Sequence, residues 1–251
     1  MLDYDEEADA YDTLRGGEPR AAAAAFAVLS LVPDRAGRLL DVACGTGIVT
    51  RRIAAARPAL RVTGVDLTDG MARRAADRLP GAVVRGDSRA LPFPDDVFDV
   101  VTSVWLLHLF AGPADTRAVI AECARVLRPG GVYVTTVDKA AAHDVGSDID
   151  AVLASRPRRP ASDAAAVVAE HALAHLLSPA GQTRFTGRGQ GRSPRRTVTD
   201  LRRGWFTTLP PGDPAQEPFA TRLAALPDQE RPRPDPEFTL HAFHSAVSAE
   251  G

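Results

Sequence analysis

The chain has 251 residues, with 30 Lys and Arg against 32 Asp and Glu, so its net charge at neutral pH is −2. This balance creates no strong electrostatic field that would recruit nucleic acid or an anionic membrane. We therefore expect a small molecule as the partner, and neither nucleic acid nor a membrane. Two cysteines and apolar stretches shorter than the roughly 18 residues of a membrane span lead us to expect a cytoplasmic protein. We predict one domain over residues 1–251, as a monomer or homodimer.

Strand-like and helix-like segments alternate between residues 38 and 137, at the spacing of a parallel sheet with crossover helices. The predicted strands are Arg38–Ala43, Arg61–Val65, Ala82–Arg85, Phe98–Val104 and Gly131–Val137. The predicted helices are Ile48–Arg57, Gly70–Leu79 and Ala114–Leu127. Near the C-terminus, the alternation in FTLHAFHSAV predicts a last strand. The order of elements favours an α/β fold with a doubly wound sheet.

Two segments flank this pattern. Residues 1–35 contain YDEEADAYD and an alanine-rich run, which predict cap helices at the ligand mouth. Residues 139–196 follow no clear pattern, and we predict an inserted substrate lid there. Its arginines either clamp an anionic group or lie in a mobile solvated loop, and the interleaved glycines favour the loop; they are Arg184, Arg188, Arg192, Arg195 and Arg196. His171 and His175 share a helical face but lack a completing carboxylate pair, so we predict no metal.

The turn in LLDVACGTG, residues 39–47, carries the most information. Its apolar strand ends in Gly45 and Gly47, which permit positive φ angles and close approach of a ligand. The following helix points its first N–H groups at the same place. A dinucleotide loop would carry a third glycine where Thr50 stands, which disfavours NAD. Asp66, 21 residues after Gly45, ends the second strand where a carboxylate can accept ribose hydroxyls.

The motifs DVACGTG, GVDLTDGM, GDSRALPFPDDVFDVV and LRPGG, in this order within residues 36–137, resemble the class I S-adenosylmethionine-dependent methyltransferases, in particular the small-molecule, ubiquinone-biosynthesis-like branch. The resemblance implies a Rossmann-like sheet, mostly parallel with an antiparallel last strand and with helices on both faces. It implies S-adenosylmethionine as the cofactor, held by Tyr4, Tyr11, Ala43, Gly45, Gly47, Asp66, Leu67, Met71, Asp87, Ser88 and Ser103.

The resemblance also implies a role for most of these residues. Gly45 and Gly47 line the methionine part, and Asp66 holds the ribose. Leu67 and Met71 enclose the adenine. Asp87 and Ser88 contact the edge of the adenine, and the Ser103 backbone contacts the methionine ammonium. Tyr4 and Tyr11 close over the methionine carboxylate.

Some of these residues have a structural alternative. Asp66 is also placed to cap a helix that begins near Asp69, and Met71 is also suited to fill core. Asp41 lies inside the first strand, where burial of a carboxylate is costly without partners. We therefore expect Asp41 to organise the glycine loop from below or to contact the methionine amine.

Methyl transfer from a sulfonium is an in-line displacement, for which a strong base is optional. Ligands in open α/β sheets lie beyond the carboxyl ends of the strands, so we place the acceptor near residues 103–110 and 138–143. His108 is the first candidate for a base because imidazole titrates near neutral pH, although it also suits a packing role. Asp138 and His143 are the alternatives. Trp105 and Phe110 offer either a stacking surface or core, and for Phe110 we favour core.

We expect an enzyme that transfers a methyl group to an oxygen or nitrogen of a small molecule, in the biosynthesis of a specialised or quinone-like metabolite. A regulatory protein that binds S-adenosylmethionine without transferring a methyl group is the alternative. A nicotinamide-dependent oxidoreductase is disfavoured by the missing third glycine.

Overall fold

The computed structural model describes residue 8, residues 11–158 and residues 160–246. The strands are β1 (Arg38–Val42), β2 (Arg61–Asp66), β3 (Val83–Arg85), β4 (Phe98–Ser103), β5 (Leu127–Val137), β6 (Leu177–Thr186) and β7 (Glu237–Ser245). The helices are α1 (Tyr11–Leu14), α2 (Gly17–Leu29), α3 (Ile48–Ala56), α4 (Asp69–Arg78), α5 (Pro113–Val126), α6 (Lys139–Ala142), α7 (Asp148–Leu153), α8 (Ala165–Ala174), α9 (Pro194–Arg202) and α10 (Glu217–Ala224). Short 3₁₀ turns lie at Leu107–Leu109 and Pro214–Gln216.

All these strands join one sheet in the order β3-β2-β1-β4-β5-β7-β6. Strands β1 to β5 are parallel, whereas β7 runs antiparallel to β5, and β6 antiparallel to β7. The chain moves outward through β2 and β3, then returns to the other side of β1 with β4. The crevice at the carboxyl ends of β1 and β4 is therefore the topological switch point, where such sheets bind ligands. The predicted α/β class is confirmed.

Both faces of the sheet are covered, which explains the continuous apolar run of β1. Leu39 belongs to the first core, which is shared with α2 and α3. Its neighbour Leu40 belongs to the second core, which is shared with α5 and α8. Successive side chains of a strand point to opposite faces, so a strand buried on both sides has no polar alternation. This packing holds the glycine loop after β1 between two rigid layers.

The predicted lid over residues 139–196 is wrong for part of its length. Residues 177–186 form β6 at the edge of the sheet, and α8 buries Val168 and Ala172 in the second core. The prediction missed β6 because, apart from Leu177 and Phe185, its residues are exposed or only partly buried, so it shows no alternation. The resemblance also implied one antiparallel last strand, whereas two are present.

A third, smaller core lies outside the sheet layers. It is formed by α7, α9 and α10 through buried apolar residues: Ile149, Val152, Leu153, Leu201, Ala220 and Leu223. Arg192 joins this unit to the sheet side, donating to the His143 carbonyl at 2.5 Å and pairing with Asp150 at 2.9 Å. The favoured solvated loop is therefore wrong for Arg192, whose side chain is 12% exposed.

One boundary differs from the prediction by more than a residue or two. β5 begins at Leu127, not at Gly131, because Leu127 pairs with Phe98 across an irregularity in the ladder. In the described part of the chain, every helix is too short or too polar to cross a membrane.

Candidate functional site

Strained backbone marks the carboxyl edge of the sheet. Ala43 follows β1 with φ 57°, Trp105 follows β4 with φ 60°, and Asp138 follows β5 with φ 51°. Left-handed conformations are uncommon for residues other than glycine, and they concentrate at functional sites. Because parallel strands end at the same edge, these three residues border the switch point.

The two glycines of the loop have different tasks. A Cβ on Gly45 would meet nothing within 4 Å, so open space lies above it, whereas a Cβ on Gly47 would come within 3.0 Å of the Cα of Ala75. Both have positive φ, 57° and 73°. Gly45 therefore leaves room for a ligand, and Gly47 lets α4 pack against the loop. The predicted ligand contact of Gly47 stays a prediction, but its need for glycine comes from packing.

Asp66 connects the glycine loop to the start of α4. Its carboxylate accepts hydrogen bonds from the Gly45 amide at 2.8 Å and from the Thr68 amide and hydroxyl at 3.0 and 2.9 Å. A carboxylate has about four acceptor positions, so one is left for a ribose hydroxyl. Beside it, Leu67 is 54% exposed, whereas Met71 is 2% exposed and lies in the interior. The adenine roles of Leu67 and Met71 stay predictions.

Asp41 is buried below the loop. Its carboxyl accepts the Thr50 hydroxyl at 2.5 Å and the Thr102 hydroxyl at 2.8 Å. Burial raises its pKa to about 6, against the lowering effect of the two threonine bonds. Because Thr50 lies in the first turns of α3, Asp41 fixes the helix that follows the glycines. This is the expected organisation of the loop from below.

Salt bridges from Arg89 hold the segment after β3 in place. Asp87 accepts from the Arg89 guanidinium at 2.8 Å, and Arg89 also reaches Asp115 at 3.0 Å. The hydrogen bonds from Arg89 hold the pKa of the Asp87 carboxyl below its usual value. An adenine amino group would share this carboxylate with Arg89, and the neighbouring Ser88 is partly buried. Both adenine roles stay predictions.

Ser103 belongs to a fully buried chain of hydroxyls. Tyr133 donates to the Ser103 Oγ at 2.6 Å, this hydroxyl donates to Thr135 Oγ1 at 2.9 Å, and Thr135 donates to the Ser103 carbonyl at 3.0 Å. The Ser103 backbone, predicted to meet the methionine ammonium, thus has a carbonyl that already accepts a side-chain hydrogen bond. The sequence analysis missed Tyr133 and Thr135, which lie on the neighbouring strand.

The N-terminal segment is fastened to the glycine loop. Asp12 in α1 accepts the Thr46 hydroxyl at 2.7 Å and pairs with Arg78 at 2.7 Å, while Arg78 also donates to the Thr46 carbonyl at 2.7 Å. Tyr11 begins α1. Tyr4 lies outside the described residues. The three-way contact places α1 where the predicted cap was expected, although its carboxylate-closing role stays a prediction.

His108 lies in the 3₁₀ turn after β4 and faces a lysine that the sequence analysis did not consider. Its Nε2 is 2.9 Å from the Nζ of Lys139. Burial, then the Lys139 charge, holds the pKa of His108 well below its usual value. Burial, then the Arg15 charge, lowers the pKa of Lys139 to about 8. At neutral pH the Lys139 ammonium therefore donates to a neutral imidazole.

The other two candidates for a base have different surroundings. Asp138 accepts the Ala165 amide at 3.1 Å and so anchors the start of α8. His143 packs against Phe238 with ring centroids 5.5 Å apart, and burial, then the Lys139 charge, lowers its pKa to about 3. The structure sets His108 apart, because its Nε2 contacts the amine of Lys139, whose pKa is lowered to about 8.

The two aromatic residues at this edge, Trp105 and Phe110, have different surroundings. Phe110 packs against the second core, as favoured. Trp105 packs edge-on against Phe185 and Phe238, with centroids 5.6 and 5.5 Å apart, and the Arg20 guanidinium carbon lies 4.3 Å from the centre of its ring. Arg20 is 5% exposed. Trp105 thus holds the buried Arg20 guanidinium near the end of β4 through a cation–π contact.

Comparison with known proteins identifies the central segment. Residues 40–135 match the family described as a methyltransferase domain. The chain is 41% identical to the 27-O-demethylrifamycin SV methyltransferase of Amycolatopsis mediterranei, over 40% of this chain and 39% of that protein. It is 40% identical to the ubiquinone/menaquinone biosynthesis C-methyltransferase UbiE of Methylobacterium nodulans, over 49% of this chain and 51% of that protein. Residues 40–135 therefore form a methyltransferase domain.

These alignments span about two fifths to one half of the relatives' own lengths. The fold extends further: the crystal structure of the [4+2]-cyclase SpnF matches with a TM-score of 0.62 at 21% identity, over 98% of this chain and 95% of that one. A methyltransferase structure from Methanosarcina mazei matches with 0.55 at 14% identity, over 88% and 97%. The predicted resemblance to S-adenosylmethionine-dependent methyltransferases is confirmed for residues 40–135.

The loop of this domain fits the cofactor. Open space lies above Gly45, and the N-cap of α3 is Gly47, with no side-chain hydrogen bond to the first N–H groups of the helix. Asp66 keeps one acceptor position, and Leu67 offers an exposed apolar surface. The loop therefore has room for a nucleoside with an amino acid tail, and the contact of each residue with the cofactor stays a prediction.

Proposed function

We propose that this chain is an S-adenosylmethionine-dependent methyltransferase that acts on an oxygen or nitrogen of a small molecule in the biosynthesis of a specialised metabolite. The observation that carries the proposal is the Lys139–His108 contact of 2.9 Å. It brings two proton-binding groups to the edge where β1 presents the glycine loop. The relative named as the 27-O-demethylrifamycin SV methyltransferase supports oxygen as the target, whereas UbiE is named as a C-methyltransferase.

The cofactor, when bound, supplies a methyl group on a sulfonium sulfur. The residues of the chain have to hold donor and acceptor at near-attack distance, which accounts for a large part of such catalysis. Gly45 leaves space for the methionine part, Asp66 fixes the ribose, and the Asp12 contacts keep α1 over the loop. These are positioning tasks, and rigid strand ends perform them.

The proton of an acceptor hydroxyl would go to the Lys139–His108 pair. In the ammonium form, Lys139 occupies the Nε2 lone pair of His108. Once Lys139 is neutral, its amine accepts the proton of the acceptor, and the resulting ammonium stays beside the acceptor anion. The reactive state therefore holds an acceptor anion and a protonated Lys139. A pKa near 8 keeps both forms accessible at physiological pH.

The two thiols support a cytoplasmic location. Cys44 and Cys123 are both free and buried. A protein whose cysteines remain unpaired suits a reducing compartment, and we assign this chain to the cytoplasm.

A second candidate function is binding of S-adenosylmethionine without methyl transfer. The observation that favours it is the likeness in fold to SpnF, which is named as a [4+2]-cyclase. The same fold therefore occurs with a different named reaction. The two candidates differ in whether labelled methyl groups reach an acceptor.

The first experiment incubates the purified chain with methyl-labelled S-adenosylmethionine and a bacterial metabolite extract. Labelled product supports transfer, and tight cofactor binding without any product supports the second candidate. Calorimetry of Asp66→Ala should show at least about tenfold weaker binding of S-adenosylhomocysteine, about 1.4 kcal/mol. Asp69→Ala, at an exposed carboxylate three residues away, is the control and should change it little. Unchanged affinity in Asp66→Ala would overturn the placement of the cofactor.

A further inference from the structure

Three cations gather on the acceptor side of the site. Arg20 comes from α2 and is 5% exposed, Lys139 begins α6, and Arg15 lies between α1 and α2. They are close enough for the charges of Arg15 and Arg20 to help lower the pKa of Lys139. Burial of several like charges together is unfavourable unless a counter-charge is supplied.

The nearby carboxylates are already engaged. Asp12 pairs with Arg78 and accepts from Thr46, and Asp163 is 2% exposed and accepts the backbone amide of Lys139 at 2.8 Å. Within the described residues, Arg15, Arg20 and Lys139 form no ion pair with a carboxylate. The Asp163 carboxylate keeps its charge and offsets one of the three cations, so a positive excess remains among the described residues of the cluster.

Two buried donors of the same cluster have no partner. The Nε of Arg20 and the Nε1 of Trp105 are both enclosed and make no hydrogen bond to a described residue. The guanidinium carbon of Arg20 lies 4.3 Å from the centre of the Trp105 ring, so these donors are neighbours. An unsatisfied buried donor costs about 1–3 kcal/mol, which an oxygen of a ligand would recover.

The cofactor accounts for one of these cations. Its methionine carboxylate is predicted to lie near Tyr11, and Arg20 lies 5.9 Å from the Tyr11 ring. Arg15 and Lys139 remain, and Lys139 lies beside His108 where the acceptor is expected. A cationic acceptor amine would be repelled by these groups, whereas an anion would be attracted.

We propose that the methyl acceptor is a small organic acid, a carboxylic acid or an acidic phenol or enol, which binds as its anion against Lys139 and Arg15 and is methylated on the anionic oxygen. The inference rests on the proposed function. The acceptor oxygen forms a bond to the methyl carbon while the carbon–sulfur bond breaks, and its electron pair stays on sulfur. Because the oxygen arrives ionised, Lys139 stays an ammonium and no proton has to leave in this step, and the product is a neutral ester or ether. The proton transfer to neutral Lys139 is then needed only for an acceptor that arrives as a protonated hydroxyl.

The test uses the full chain loaded with S-adenosylhomocysteine, whose own binding is measured first. Benzoate, benzamide and benzylamine, which share a ring but differ in charge, are then titrated calorimetrically at about pH 7. We expect benzoate to bind at least about tenfold more tightly than benzamide, and benzylamine to bind most weakly. Equal binding of the three, preference for the amine, or binding of none overturns the proposal.

Variants separate the charge of Lys139 from its packing. Lys139→Met should lose about tenfold in benzoate affinity and keep its affinity for S-adenosylhomocysteine, whereas Lys139→Arg should retain most of the benzoate affinity. Arg73→Met, which removes an arginine whose side chain is 75% exposed on α4, is the control and should change neither. A chain that fails to bind S-adenosylhomocysteine contradicts the proposed function, and the acid-acceptor inference falls with it. Normal cofactor binding without a charge preference contradicts this inference alone.

Discussion

The Nζ of Lys139 lies 2.9 Å from the Nε2 of His108, and this contact joins the second residue after the end of β5 to the turn after β4. It makes the two side chains one proton-binding unit, because the nitrogen that would accept a proton from an acceptor already faces an ammonium. The state of Lys139 therefore decides what the pair does. The sequence predicted His108 alone as the first candidate for a base, whereas the structure pairs it with Lys139.

Anion binding should depend on pH through Lys139. Five groups face it, namely His108, His143, Arg15, Arg20 and Asp163. Its pKa is lowered to about 8, so its positive charge is present below that pH and lost above it. Benzoate is ionised throughout, so its affinity should fall above about pH 8, by up to about tenfold per pH unit. Calorimetry from about pH 6.5 to 9 measures this, and Lys139→Arg should move the fall to higher pH. A flat profile in the wild type would exclude Lys139 as the anion partner.

Asp41 should make stability depend on pH in the opposite sense to an ordinary salt-bridged carboxylate. Burial raises its folded pKa from 3.8 to about 6, so the folded state holds its proton more tightly than the unfolded state. Stability contributed by the protonated form is complete below about pH 4 and is lost as the pH rises through 6, by about 3 kcal/mol in all. Asp41→Asn should remove this dependence. Urea unfolding of both proteins at several pH values tests it, and parallel curves would show that Asp41 is not responsible.

Much of the fold was predictable because its signals are local. The apolar run of β1, the glycines after it and the helical periodicity of α3 each follow from neighbouring residues. β6 was missed, since an edge strand exposes most of its residues and has no pattern to detect. Arg192 was misassigned for a related reason: its partner Asp150 lies 42 residues away in the chain.

The site residues also differ in whether their signal in the sequence is local. Gly45 and Asp66 were found because the loop and the end of β2 carry recognisable motifs. Lys139, Arg20 and Asp12 were not considered, because their importance comes from contacts between distant segments. Asp12 meets Thr46, 34 residues away, and His108 meets Lys139, 31 residues away. No spacing in the sequence predicts such contacts.

The two loop glycines should respond differently to the same substitution. Gly47→Ala combines a positive φ with a Cβ 3.0 Å from Ala75, so we expect the free energy of unfolding to fall by about 3 kcal/mol. Gly45→Ala has the φ penalty alone, about 1 kcal/mol, but its methyl group enters the space above the loop. Its S-adenosylhomocysteine affinity should fall by at least about tenfold. Urea unfolding and calorimetry separate the two effects, and equal stability losses would contradict this division of tasks.

Asp12 should control how firmly α1 closes over the glycine loop. Its contacts to Thr46 and Arg78 are partly buried, with the Asp12 side chain 18% exposed, so charge-assisted bonds there retain about 1–2 kcal/mol. Asp12→Ala should lower the affinity for S-adenosylhomocysteine about fivefold or more and speed tryptic cleavage after Arg15. Glu18→Ala is the matched control, since it removes an acid that pairs with Arg51 and Arg52 on the surface, where such pairs contribute little. If both variants bind the ligand equally well, α1 does not need the Asp12 contacts to cover the cofactor.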